Sequence, residues 1–66
     1  MKVYYCLSQD SKRIVVEAKT KKDAGAATGI SSDLFVVCHD PAIASVATPG
    51  GMIETKSGWE PYKLSH

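Results

Sequence analysis

The amino-acid sequence predicts an α+β domain, in which a small antiparallel sheet of four or five strands carries a helix on one face. Short segments rich in β-branched and aromatic residues lie near both ends of the chain, and such segments are typical of strands. An alanine-rich segment between them has the residue types that begin and end a helix. With 66 residues, the chain is predicted to form a single domain over residues 1–66, near the lower size limit for folding without a disulfide or metal.

The first two strands are predicted to form a hairpin. Side chains in residues 3–7 alternate between two faces, and most of them have high β-propensity. Residues 8–12 are polar and have the length of a hairpin turn. The returning strand is predicted over residues 13–19, with Ile14, Val16 and Ala18 facing inward and Val15, Glu17 and Lys19 facing outward.

A helix is predicted over residues 21–28. The Thr20 hydroxyl can accept a hydrogen bond from the backbone N–H of Asp23, whose carboxylate can reach back to complete a capping box. Gly29 follows the last helical residue, at a position where a left-handed backbone commonly ends a helix. Because Gly25 inside the helix costs about 1 kcal/mol relative to alanine, we expect close packing against the sheet at this residue.

The middle of the chain contains a continuous apolar run at residues 34–38. Its period cannot separate a buried strand from a short helix, but its length and its β-branched residues favour a strand. A short helix is predicted after it, over residues 42–48, with Asp40 as the N-cap and Pro41 in the first turn. The Pro-Gly-Gly of residues 49–51 is expected to end this helix.

A second hairpin is predicted near the end of the sequence. Residues 52–55 and 59–63 would form its strands, joined by a turn at residues 56–58. Pro61 cannot donate a ladder hydrogen bond, so its strand is expected at the edge of the sheet. Trp59 and Tyr62 are expected to pack at this edge and in the core, with a binding platform as the alternative.

Both cysteines, Cys6 and Cys38, lie in apolar runs. Cysteine in such surroundings behaves as a small hydrophobic residue, so we expect two buried and free thiols. A disulfide between them, and a reactive or metal-bound thiol, are the alternatives.

The sequence predicts no catalytic residue, metal site or cofactor, and no small-molecule substrate. Cys38, His39 and Asp40 carry the groups of a nucleophilic site, but neighbours on a strand point to opposite faces, and Asp40 is already explained as a helix cap. A metal would have to draw on four residues, none of which shows the close paired spacing of structural zinc ligands. These are Cys6, Cys38, His39 and His66. The glycines match neither a phosphate loop nor a dinucleotide-binding pattern.

Five of the eight basic residues lie between positions 12 and 22, where the second strand gives way to the helix. Because the net charge is only +1, this is a concentrated positive region on a nearly neutral chain. We refer to it as the basic elbow, and it consists of Lys12, Arg13, Lys19, Lys21 and Lys22.

The basic elbow predicts a negatively charged partner, either a nucleic-acid backbone or an acidic protein surface. Whichever of Tyr4 and Tyr5 faces solvent is expected to add a flat contact beside the lysines. The alternative is that these lysines only keep a sheet edge soluble.

Residues 21–37 also resemble a helix-turn-helix segment, with small residues at Gly25 and Gly29. A recognition helix would then begin near Ser31 or Ser32, although its residues offer few basic or amide groups to base edges. A small DNA-binding regulator is therefore the alternative function.

Both ends of the sequence resemble small phage-encoded proteins. The resemblance rests on the Val-Glu-Ala-Lys-Thr of residues 16–20 leading into a helix, and on the Met-Ile-Glu-Thr of residues 52–55 followed by Gly58-Trp59 and Tyr62-Lys63. Such proteins include anti-CRISPR proteins that block type I surveillance complexes, whereas residues 25–51 differ from that pattern. The resemblance implies a compact, stoichiometric inhibitor whose partner is a host protein or ribonucleoprotein complex, with nucleic acid a further partner through the basic elbow.

The sequence predicts a protein of the bacterial cytoplasm with no membrane partner. No apolar run approaches the roughly 20 residues that a membrane span requires. The first residues also lack the long apolar core and small-residue cleavage site of a secretion signal.

Overall fold

The computed structural model describes residues 2–8 and 10–62, which form a five-stranded antiparallel sheet with one two-turn helix on it. This confirms the predicted α+β class and the strand number. The strand order is β3-β1-β2-β4-β5. The strands are β1 (Lys2–Leu7), β2 (Arg13–Ala18), β3 (Val36–Val37), β4 (Met52–Thr55) and β5 (Gly58–Pro61), and the helices are α1 (Lys21–Thr28) and α2 (Pro41–Ala44), with a 3₁₀ turn at Ser32–Leu34.

The predicted β1–β2 hairpin forms the centre of the sheet. Its register sets Tyr4 opposite Val16 and Cys6 opposite Ile14, and these side chains share one core cluster with the helix residue Ala24. Ile14, Val16 and Ala18 are buried, as predicted. In the turn, the Ser8 N–H donates to the Lys12 carbonyl over 2.9 Å, whereas Gln9 of the predicted turn lies outside the described residues.

The Val15 side chain was predicted to face outward, but it does not reach solvent, because it is 0 % exposed. Alternation along β2 points Val15 away from the face that α1 covers, so the middle of β2 is buried on both faces. Residues 38–51 connect β3 to β4, which lie on opposite sides of the hairpin, so they must cross it. The Glu17 N–H donates to the Thr48 carbonyl over 2.9 Å during this crossing. The sheet therefore carries α1 on one face, as predicted, and is also covered at Val15 on the other.

Helix α1 begins and ends where the sequence predicts. The Asp23 N–H donates to the Thr20 hydroxyl over 3.1 Å, and Gly29 adopts a left-handed backbone with a φ of 72°. The buried Thr28 hydroxyl donates to the Ala24 carbonyl over 2.9 Å. These bonds satisfy donors and acceptors that a short helix otherwise leaves unpaired.

Gly25 is required by the turn that follows α1 rather than by packing on the sheet, which corrects the prediction. A Cβ at this residue would lie 2.9 Å from the Ile30 carbonyl oxygen and 3.2 Å from the Ser32 nitrogen. Both are backbone atoms of one rigid turn, so they cannot move aside as a flexible side chain can.

Residues 34–38 form a strand over a shorter range than predicted. Leu34 belongs to the 3₁₀ turn, and β3 contains only Val36 and Val37, both exposed. Phe35, which lies between Leu34 and Val36, is completely buried. The five-residue buried strand is therefore wrong, because this segment is the edge of the sheet rather than its centre.

The second helix is also shorter than predicted, since α2 covers Pro41–Ala44 rather than residues 42–48. Its predicted cap is confirmed, because the Asp40 carboxylate accepts a hydrogen bond of 2.9 Å from the Ala42 N–H.

The predicted C-terminal hairpin is confirmed for β4 and β5. Lys56 and Ser57 form its turn, and Gly58 has a φ of 109° that favours glycine. Pro61 lies in β5 at the edge of the sheet, as predicted. The last predicted strand residue, Lys63, lies outside the described residues.

We expect Gly25→Ala to lower the thermal midpoint and the free energy of unfolding, despite the better helix propensity of alanine. The clash with the turn backbone should outweigh the propensity gain of about 1 kcal/mol, giving a net loss of about 1–3 kcal/mol. Denaturant unfolding measures the difference. Gly50→Ala is the matched control, because nothing lies within 4 Å of its Cβ position, so it should be close to neutral. Equal stability of the two variants would contradict the close approach at Gly25.

Candidate binding surface

Strand β2 divides the basic elbow into two groups. Lys12 and Arg13 lie at the beginning of β2, whereas Lys19 follows its last residue. At a rise of about 3.3 Å per residue, the backbones of Lys12 and Lys19 are roughly 20 Å apart. The five basic residues therefore do not form one surface.

The group at the beginning of β2 carries mixed charge. The Arg13 Nε lies 3.6 Å from a carboxylate oxygen of Glu54, and both side chains are about half exposed. Such a pair contributes about 0–1 kcal/mol, because water screens it. Lys12 lies beside a cleft that Asp10 also lines. An anionic partner would meet carboxylates here as well as cations.

The cleft beside Lys12 has a volume of about 620 Å³. It lies below the β1–β2 turn, between the end of α1 and the end of the second hairpin. Its lining includes one cation, Lys12, and one carboxylate, Asp10, so neither sign of charge dominates. The lining residues are Leu7, Ser8, Asp10, Lys12, Ile14, Gly29, Ile30, Ser31, Leu34, Ile53 and Tyr62.

The other three lysines of the basic elbow lie at the opposite end of the hairpin, together with Lys2. The β1–β2 register sets Lys2 opposite Ala18, the neighbour of Lys19. Lys21 and Lys22 occupy the first turn of α1, which begins two residues later. We refer to this group as the basic end, and it consists of Lys2, Lys19, Lys21 and Lys22, all exposed.

Lys2 is the residue of the basic end that the sequence prediction missed. The signal was present, because a hairpin with a turn at residues 8–12 pairs Leu7 with Arg13 and hence Lys2 with Ala18. Extending the predicted register by one residue would have placed Lys2 at the same end of the hairpin as Lys19.

Few carboxylates neutralise the lysines of the basic end. The ion pair found among residues 2–8 and 10–62 joins Arg13 and Glu54, and no lysine of the basic end takes part in one there. Asp23 is the acidic residue in the first turn of α1. The helix N-terminus adds a partial positive charge of its own.

The two tyrosines do not stand beside these lysines. Tyr4 is only 6 % exposed and packs in the core, so it cannot be the predicted anchor. Tyr5 is half-buried on the opposite sheet face, three residues along β1 from Lys2, or about 10 Å. Of the two tyrosines predicted to contact a partner, only Tyr5 is exposed enough to do so.

The helix-turn-helix interpretation is wrong in its second helix. After α1 the chain makes a 3₁₀ turn of three residues at Ser32–Leu34 and then enters β3. Residues 31–37 therefore provide no recognition helix that could enter a major groove.

Cys38, His39 and Asp40 have separate surroundings. The Cys38 Sγ lies 3.7 Å from the Asp40 backbone carbonyl, while the Asp40 carboxylate caps α2. His39 is exposed. Within the part of the chain that the structure describes, no group of three His, Cys, Asp or Glu residues could hold a metal ion, and His66 lies outside that part.

Both cysteines are free. Cys6 is buried as predicted, at 2 % exposure, and burial raises the pKa of its thiol above the usual value. Cys38 is only half-buried, which corrects the prediction for this residue. It follows the short edge strand β3, where the chain leaves the core.

Comparison with known protein families, curated proteins and solved structures found no match. Among the described residues, no helix combines the length and the apolar character that crossing a bilayer would demand.

We expect iodoacetamide to alkylate Cys38 at least ~100-fold faster than Cys6 at pH 8. The thiolate is the reactive form, and burial disfavours it at Cys6, whose labelling then requires opening of the fold. Peptide mass spectrometry over time measures both rates. Cys38→Ser is the control and should leave a slowly reacting protein that labels quickly once urea is added. Similar rates at the two native thiols would contradict the burial of Cys6.

Proposed function

We propose that this protein is a small, phage-type inhibitory binding protein that performs no catalysis. It occupies a negatively charged surface on a host nucleic-acid-handling or defence complex, as the resemblance to anti-CRISPR proteins implies. The basic end makes the contact. The observation that supports this most is the gathering of four exposed lysines at one end of the fold, with no ion pair to them among the described residues.

The position of the lysines argues against a mere solubility device. Lysines that block aggregation belong on edge strands. Strands β1 and β2 are interior strands, each with a neighbour on both sides, and Lys2 and Lys19 lie at their ends. The edge at β3 carries valines instead.

The first turn of α1 supports the same conclusion. Acidic side chains stabilise this position by about 0.3–1 kcal/mol each, because the helix N-terminus is partly positive, and cations do the reverse. Lys21 and Lys22 therefore cost local stability. A polyanionic partner would offset that cost, since it would lie against the lysines and the helix N-terminus together.

Occupancy by a small basic surface has clear physical consequences. Charge attraction accelerates encounter with a negatively charged target and weakens as salt rises, with a screening length of about 8 Å at physiological ionic strength. The alternative, a DNA-binding regulator, would have no recognition helix at residues 31–37. It would therefore hold nucleic acid through the phosphate backbone alone.

We expect Lys19→Glu combined with Lys22→Glu to abolish binding to the target captured from a bacterial host lysate. Reversing two charges of the basic end should lower the affinity by on the order of 100-fold or more. Both side chains are exposed, so the thermal midpoint should hardly change. Pull-down followed by titration with the purified target measures the effect.

The matched control is Lys12→Glu with Lys56→Glu, which changes the net charge equally at the other end of the sheet. This variant should bind nearly as well as the native protein. An equal loss in both variants would mean that only net charge matters, and full activity of the Lys19–Lys22 variant would reject the basic end. Tight, salt-sensitive binding to duplex DNA alone would favour the regulator.

The single change Lys2→Glu should weaken target binding by about 10-fold, because the hairpin register places this lysine at the same end of the hairpin as Lys19. The same titration measures it, with Lys56→Glu as the comparison. An affinity that Lys2→Glu leaves at the native value would restrict the contact surface to Lys19, Lys21 and Lys22.

A further inference from the structure

The open edge of the sheet at β3 gathers the exposed apolar side chains. Four large hydrophobic side chains are exposed in residues 2–8 and 10–62. Two lie on β3, one lies in the 3₁₀ turn before it, and one lies at the end of the neighbouring strand β1, where it lines the same cleft as the residue in the turn. They are Leu7 (53 % exposed), Leu34 (60 %), Val36 (56 %) and Val37 (39 %).

The two edge strands of the sheet, β3 and β5, differ in residue composition. β5 contains Glu60 and Pro61, a charge and a missing N–H that both discourage strand pairing. Residues 34–37, Leu-Phe-Val-Val, contain neither a charge nor a proline. Apart from the short length of β3, this edge carries none of the charges or prolines that discourage pairing with another strand.

The backbone groups of this edge have a defined direction. The Cys38 N–H donates to the Val3 carbonyl over 2.8 Å, so residue 38 directs its backbone groups toward β1. Because these groups alternate along a strand, those of Val37 point outward. The extended backbone of Phe35 and Asp40 continues the edge beyond β3. By the same alternation, Phe35 and His39 also direct backbone groups outward.

We propose that β3 pairs with β3 of a second copy of this chain, antiparallel and across a twofold axis at Val37. The N–H and C=O of Val37 bond to those of the partner's Val37, giving two hydrogen bonds. The Phe35 N–H already donates to the Ser32 carbonyl, but the Phe35 carbonyl can accept from the partner's His39 N–H. The reciprocal bond completes a set of four.

A second copy fits this edge because the edge is complementary to itself. In a twofold antiparallel pair centred on Val37, each Val37 meets the partner's Val37, and each Phe35 carbonyl meets the partner's His39 N–H. In this register Val36 lies opposite the partner's Cys38. Residues 35–39 contain no acidic residue, lysine or arginine, so no like charges face each other across this pair.

The area available limits the strength of this dimer. A standard interface buries about 800 Å² on each partner, more than one short strand and a few half-exposed side chains supply. We therefore expect reversible association, with a Kd on the order of 100 µM. The proposal is independent of the proposed function, because it concerns the β3 edge and not the target of the basic end.

Sedimentation velocity of the full chain, from about 5 µM to about 1 mM, tests the proposal. The native protein should shift from monomer to dimer over this range. Val37→Pro should weaken association at least ~10-fold, because it removes an outward N–H while leaving the Cys38 bond to β1 in place. Val36→Lys should do the same by adding a charge to the edge. Glu60→Lys, on β5, is the matched control and should dimerise like the native chain.

Amide hydrogen exchange locates the pairing. In the native protein the Val37 and His39 amides should exchange more slowly at about 1 mM than at about 5 µM, whereas amides of β5 should not respond. If Val37→Pro does not fold, as circular dichroism would show, Val36→Lys decides the outcome. A native protein that stays monomeric at about 1 mM, or edge variants that dimerise as well as the native chain, would overturn the proposal.

Discussion

Burial of β2 on both of its faces is the constraint on which the rest of this fold depends. Ile14 and Val16 fill the face under α1, and Val15 fills the other, so one strand supplies the centre of both layers. A chain of this size has few core side chains to distribute. Because β2 is central, β1 and β4 pair on its two sides, and the chain from β3 must cross the hairpin to reach β4.

The same strand sets the charge distribution. Its length separates Lys12 from Lys19 by roughly 20 Å, and the basic elbow thereby becomes two unlike groups. One group is balanced by carboxylates such as Glu54. The group at the other end of β2 is joined by Lys2 from β1. The positive surface therefore combines residues from two parts of the chain. Pairing across the hairpin, rather than clustering along the sequence, creates the basic end.

The features that could be predicted are those with local causes. The Thr20 cap, the Gly29 stop, the two hairpins and the edge position of Pro61 each follow from nearby residues. What could not be predicted depends on contacts distant in sequence, such as the covered face at Val15 or the short, exposed β3. The position of Lys19 next to the lysines of α1 follows from the sequence alone. The burial of Tyr4 and the position of Lys2 depend on strand orientation and register, which the sequence does not specify locally.

The structure thus separates two surfaces, a basic end at one end of the central hairpin and an apolar edge at β3. The central claim is that the basic end, and not the whole elbow, recognises negative charge. Titrating the isotopically labelled protein with a short inorganic polyphosphate, while recording amide chemical shifts, tests it most directly. We predict salt-sensitive changes in amide chemical shift concentrated at Lys2, Lys19, Lys21 and Lys22. Equal or larger shifts at Lys12 and Arg13 would contradict it.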